Sequence, residues 1–190
     1  HSSARKLTNH SRNLDDEMLL AVKSNGGVVQ TTAFSTYVNE ERRNFLIESR
    51  SELENQILSE IGLEILSDSD IEMLSSDAKL AYDADIAEFN TRLRSRVNSA
   101  MFDRAPPATV EDFVDHIEYI IDLIGIEHVG VSSDFDGGGG ISGWNDASET
   151  FNVTLELVRR GYTETEIRKL WSGNLLRVLD EVQRVADTLN

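Results

Sequence analysis

TVEDFVDHIEYIIDLIGIEHVGVSSDFDGGGG, residues 109–140, holds a helix, a strand and a loop in unbroken succession. Thr109 opens a capping box whose fourth place is Asp112, and Phe113, Ile117, Ile120, Ile121 and Ile124 then recur at helical spacing. Gly125 ends that helix. Glu127 to Ser133 reads as an apolar strand running into Asp134, and Gly137 to Gly140 form a loop. A helix that feeds such a strand is part of a βα repeat, so the predicted fold class is α/β with a parallel sheet.

Working outward, Asn13 is the predicted N-cap of a helix over residues 13–25. Asp15, Asp16 and Glu17 suit its positive end, and Leu14, Met18, Leu19 and Val22 supply a stripe. Gly26 and Gly27 close it, and Val28 to Phe34 reads as a buried strand. Downstream, a helix over residues 147–160 ends at Gly161. Thr163 and Glu166 make a second capping box, and Leu175, Leu176, Val178, Leu179 and Val182 predict a closing amphipathic helix. Residues 40–104 differ in character, being rich in Glu, Ser, Arg and Asp. Phe45, Leu46, Leu53, Ile57, Leu58 and Ile61, then Ile71, Leu74, Leu80, Ile86, Phe89 and Leu93, predict two or more helices forming an insertion that Pro106 and Pro107 close. Two strands cannot make an independently stable parallel sheet, so further strands upstream of residue 1 are expected.

Composition narrows the chemistry. The 190 residues carry a net charge of −16, which repels phosphates and argues against nucleic acid. No apolar run approaches the roughly eighteen residues of a membrane span. With no cysteine, a metal would have to be held by His, Asp or Glu.

Asp134 stands where a strand ends and a glycine-rich loop begins. A carboxylate there can ligate a metal, move a proton or grip an amine, or it can belong to a simple turn with Asp136. No Lys-Ser/Thr follows the glycines, and the ligands and glycine of an EF-hand do not all fall in place, so phosphate-loop and calcium-loop readings are poor. Taken alone, His1 reads more readily as a chain end than as a ligand. His10, His116 and His128 lack ligand spacing, and His116, on a helix among acids, is predicted to be solvated. Arg12 is either an exposed charge or a fork for a carboxylate.

Taken together these pieces resemble the membrane (renal) dipeptidase family. The resemblance rests on His1-Ser-Ser-Ala4, Arg12-Asn13 before the Asp15-Asp16 helix start, and the Gly27-Val-Val29 strand. It rests further on Asp112-Phe-Val-Asp-His-Ile117, Gly130-Val-Ser-Ser-Asp-Phe-Asp-Gly137, Glu156-Leu-Val-Arg-Arg-Gly-Tyr162 and Gly173-Asn-Leu-Leu-Arg-Val178. These occur in the family's order and span nearly all of the chain outside residues 40–104.

The resemblance implies that residues 1–190 are the C-terminal half of a metal-dependent amidohydrolase-like (β/α)8 TIM barrel, with 40–104 similar to the helical excursion of the family's bacterial branch. It implies two zinc ions, with His1 as the last metal-ligating histidine. Arg12 falls on the arginine that holds the substrate's free carboxylate. Asp134 falls on the aspartate near the substrate's amine that carries a proton to the leaving nitrogen, and is thus both catalytic and substrate-binding. The implied reaction is hydrolysis of dipeptides by a metal-bridging hydroxide, in a homodimer. The family's His-x-Asp pair, bridging Glu and earlier histidines do not occur in this chain. These residues alone are therefore expected to be inactive. Hydrolysis of other small amides (N-acyl amino acids, β-lactams) and a non-catalytic domain remain alternatives, and Trp144 and Trp171 stand where the family leads one to expect smaller residues.

Overall fold

Every apolar side chain on one face of a fifteen-residue helix, Val110–Ile124, is turned inward. Phe113, Val114, Ile117, Ile120 and Ile124 are all fully buried there. The capping box is present, with the Thr109 hydroxyl accepting from the Asp112 N–H and the Asp112 carboxylate accepting from the Thr109 N–H, and Gly125 caps the end. The computed structural model describes residues 1–97 and 99–189. Residue 98, within the acidic stretch, and residue 190 lie outside them.

In chain order the elements are α1 (Asp16–Ser24), β1 (Val29–Thr32), α2 (Ser35–Val38), α3 (Glu40–Ile61), α4 (Asp68–Met73), α5 (Ser76–Arg96), α6 (Ser99–Arg104) and α7 (Val110–Ile124). Then follow β2 (Val129–Ser132), α8 (Phe151–Arg159), α9 (Glu164–Arg168), a π-turn over Lys169–Gly173 and α10 (Asn174–Thr188). The protein is mixed α/β and mostly helical. It divides into two compact units, residues 1–43 with 106–190, and residues 44–105.

In the first unit β1 and β2 pair in parallel, with Val29 opposite Val129 and Thr32 opposite Ser132. Val29 and Val129 join α7, Leu19, Val153, Leu157 and Leu170 in one core. Burying such aliphatic side chains contributes roughly 1.5–3 kcal/mol each. Along the other edge of β1 runs the segment His1–Ala4, where the Ser2 N–H donates to the Gln30 carbonyl at 3.0 Å and the Ser3 hydroxyl to that of Thr32 at 3.1 Å. The second unit is helical. Arg96 forks onto Glu60, joining α5 to α3, and Ser67 and Ser75 cap α4 and α5. No helix among the described residues is long and apolar enough to cross a membrane.

Three expectations are corrected. The cap of α1 is Asp15, whose carboxylate accepts the Met18 N–H at 3.0 Å. Asn13 is fully buried and its side chain is committed elsewhere. The strand begins at Val129 rather than Glu127, because Ile126–His128 forms a 3-10 turn in which His128 Nδ1 meets the Gly27 carbonyl. His116 is not solvated but 1% exposed. Its Nδ1 accepts the Ala4 N–H at 3.0 Å and its Nε2 faces the Thr8 hydroxyl at 3.3 Å. The helical period turns position 116 inward with Phe113, Ile117 and Ile120, whatever the charges beside it in sequence.

Burial lowers the His116 pKa from 6.5 to about 4, against the opposing pull of the Val38 backbone, Asp115 and Asp112. Below 6.5 the unfolded chain binds a proton that the folded chain refuses. Stability from this group is therefore full above pH 6.5 and lost as pH falls towards 4, an effect of roughly 3 kcal/mol. His116→Asn keeps an acceptor for Ala4 but does not titrate. Urea unfolding at pH 7.5 and 4.5 should show its pH-dependent loss to be smaller than the wild type's by roughly 2–3 kcal/mol; equal losses would refute the assignment.

Candidate active site

The chain leaves β2 through a backbone conformation that few residues accept. Asp134 has φ 53° and ψ 34°, and among the described residues it is the only one besides glycine with positive φ. Aspartate tolerates this region better than most residues, at a cost of about 1 kcal/mol. The turn is repaid in hydrogen bonds, because the Asp134 carbonyl accepts the N–H groups of Gly137 at 3.0 Å and Gly139 at 2.7 Å. Gly139 is needed there, since a Cβ on it would lie 2.6 Å from that carbonyl oxygen. The next residue, Phe135, packs edge-on to Trp144, which is 2% exposed and also meets Phe113 and Trp171. Trp144 thus fills the core and braces the loop, partly buried Trp171 packs against it, and they donate their N–H groups to Thr150 and Thr154 respectively.

His1 comes to this loop from the far edge of the sheet. Its Nε2 lies 3.5 Å from Asp134 Oδ2, with the two side chains 45% and 23% exposed. That separation exceeds an ordinary hydrogen bond, and the contact is an ion pair only when the imidazole carries a proton. Sequence separation gives no hint of this approach.

Arg12 sits beside the same segment. The stretch 5–14 folds back on residues 2–5, with Leu14 N–H donating to the Ser3 carbonyl and Arg5 N–H to that of Leu14. The Ser2 hydroxyl donates to the Arg12 carbonyl at 2.5 Å, and the Arg12 N–H donates to His10 Nδ1 at 3.1 Å. The His10 ring lies against Tyr37, which stacks on Phe34. Burial, then the positive charges of Arg43 and Arg12, hold the His10 pKa below its usual value. The Arg12 side chain itself is exposed and forms no ion pair among the described residues. So the structure brings His1 and Asp134 together and ties the Arg12 backbone to the residue after His1. It does not bring Arg12 into contact with Asp134.

Asn13 was missed as an anchor because its type and place also suit a helix cap. Its Oδ1 accepts the Ser3 N–H at 3.3 Å, and its Nδ2 donates to the carbonyls of Thr8 at 2.9 Å and Tyr37 at 2.8 Å. It thereby clamps the loop that carries Arg12 to the segment that carries His1. The metal question has a direct answer in the donors. Among the described residues no three His, Asp or Glu side chains converge as ligands. An exposed imidazole nitrogen at His1 is a fit donor for one position, but His1 and Asp134 do not by themselves make a closed metal site.

The sequence profile of the membrane dipeptidase family (peptidase family M19) matches residues 1–190. The chain belongs to that family. Dipeptidase aclJ of Aspergillus oryzae is 29% identical over 190 residues, 100% of this chain and 30% of that protein. The crystal structure of the probable dipeptidase PvdM from Pseudomonas aeruginosa superposes with a TM-score of 0.71 at 33% identity, over 97% of this chain and 44% of that one. A metallo peptidase from Rhodobacter sphaeroides, solved with a phosphinate mimic of the dipeptide L-Ala-D-Ala, shares the fold at a TM-score of 0.59 and 20% identity, over 95% of this chain and 34% of that one. The chain therefore spans less than half the length of each of these proteins.

Removing the Asn13 side chain strands the Ser3 N–H and takes a donor from the carbonyls of Tyr37 and Thr8, of which Thr8 keeps the His10 N–H. Asn13→Ala should lower unfolding free energy by roughly 2–4 kcal/mol in urea denaturation. A loss under about 1 kcal/mol, the net worth of a single hydrogen bond, would show that the side chain is not an anchor.

Proposed function

We propose that these residues form part of the active site of a zinc-dependent dipeptidase. The observation that carries the reading is the approach of the His1 imidazole to the Asp134 carboxylate, from separate elements, in a chain of the membrane dipeptidase family. In this reading His1 is one ligand of a two-zinc centre, and the other ligands belong to the part of the family that these residues do not cover. Bound there, the ions would supply a water of lowered pKa and polarise the scissile carbonyl.

The chain's own residues then do two things. Asp134 carries a proton: as the peptide C–N bond breaks and the water oxygen joins the carbonyl carbon, a proton of that water passes through the carboxylate to the departing amine. Arg12, exposed beside the His1 segment, forks onto the substrate's free carboxylate and so aligns the bond to be cut. Membership of the membrane dipeptidase family supports dipeptides, rather than other small amides, as the substrates in this reading. The same reading makes the segment 1–4, β1 and β2 neighbouring staves of a (β/α)8 barrel, the helices of 40–104 an insertion in it, and the assembly a homodimer.

Two substitutions in the full-length, metal-loaded protein test the roles. Asp134→Asn should lower kcat by about 100-fold or more while zinc content, read by elemental analysis, stays intact. Stoichiometric loss of zinc would mark Asp134 as a ligand instead. Arg12→Ala should raise KM about tenfold or more for dipeptides with a free carboxylate and leave C-terminally amidated dipeptides unaffected. An equal effect on both substrates would exclude the carboxylate fork.

A further inference from the structure

The two oxygens of the Asp134 carboxylate have different neighbours. Oδ2 is directed at His1 Nε2. Oδ1 lies over Gly137: a Cβ on that glycine would stand 2.9 Å from the carboxylate carbon and 3.1 Å from Oδ2, and closer still to Oδ1. Ordinary contacts of a Cβ begin at 3.4 Å. The space a side chain would fill at position 137 is therefore already taken by the carboxylate.

We propose that Gly137 is a positioning residue for Asp134, its missing side chain being the seat in which the carboxylate is held towards His1. Two features separate this from a glycine required by the backbone. Gly137 is not among the residues with positive φ, so alanine can adopt its conformation. The atoms in the way belong to the end of a side chain that can rotate, whereas at Gly139 the obstacle is the backbone of Ser133 and Asp134. With a methyl group at 137 the loop can stay and the carboxylate must turn, which takes Oδ2 off His1. The backbone of Asp134 cannot follow to compensate, because its carbonyl is tied to two N–H groups and Phe135 is braced against Trp144.

The proposal rests on Asp134 as the proton carrier, and a double-mutant cycle in the full-length, metal-loaded protein keeps the two apart. Gly137→Ala should lower kcat about tenfold or more, with KM and zinc content near wild type. In an Asp134→Asn background the same substitution should lower kcat no further. Gly161→Ala, a strained substitution at a remote helix end with open space around it, serves as the control for destabilisation and should leave kcat within about twofold. If Asp134→Asn retains full turnover, the reading of Asp134 fails. If Asp134→Asn loses turnover but Gly137→Ala keeps it, the seat is refuted, and so it is if the two losses multiply. Should Gly137→Ala not fold, Asp134→Gly with Gly137→Ala must fold, since the obstructed carboxylate is gone and glycine accepts the positive φ at 134; failure of that pair to fold would also overturn the proposal.

Discussion

A two-stranded parallel sheet has no stability of its own, and the larger unit is organised by how β1 and β2 are covered. Four-residue strands offer only a short ladder, so the sheet depends on α7, whose buried face meets Val29 and Val129 in a common core. At the start of α10, Asn174 is 3% exposed and its amide donates to the carbonyls of Ile126 and Val129, pinning the entry into β2. The start of β2 is thus fixed twice, by the helix that precedes it and by an amide from later in the chain. What emerges at the end of β2 is then placed by a rigid frame rather than by the loop's own preferences.

The edge segment that carries His1 is held differently. Only scattered backbone bonds tie it to β1, and side chains do the rest: Ser2 and Ser3 reach carbonyls, Asn13 spans three backbone groups, and His116 accepts the Ala4 N–H. These groups are buried, where an unsatisfied partner is expensive and a satisfied one is rigidifying. The arrangement also requires a neutral imidazole at 116, because a proton on Nδ1 would face the Ala4 N–H. Geometry at the candidate site therefore depends on the ionisation of a residue outside it.

Much of the secondary structure was legible. Both capping boxes, the α7 stripe, the glycine that ends α7 and the order of helices and strands follow from residue types within about four positions of one another. Where the reading failed, a local preference was overruled by a distant one. Asn13 is a good cap by type, yet Tyr37 and Thr8 claim its amide. His116 has acidic neighbours, yet helical phase sends it inward. The apolar stripe of α10 is present as read, but Leu175, Leu176, Leu179 and Val182 remain about half exposed or more.

The sequence by itself determined that this is an α/β chain with an acidic helical stretch, and its ordered motifs pointed to the family. Such information is local or cumulative along the chain. Only the tertiary structure decided that His1 faces Asp134 across 133 positions and that His116 is a buried acceptor for a backbone group 112 positions away. Partners that far apart leave no mark in periodicity or propensity, because a side chain's type records what it can bond to and the packed fold alone records what it meets.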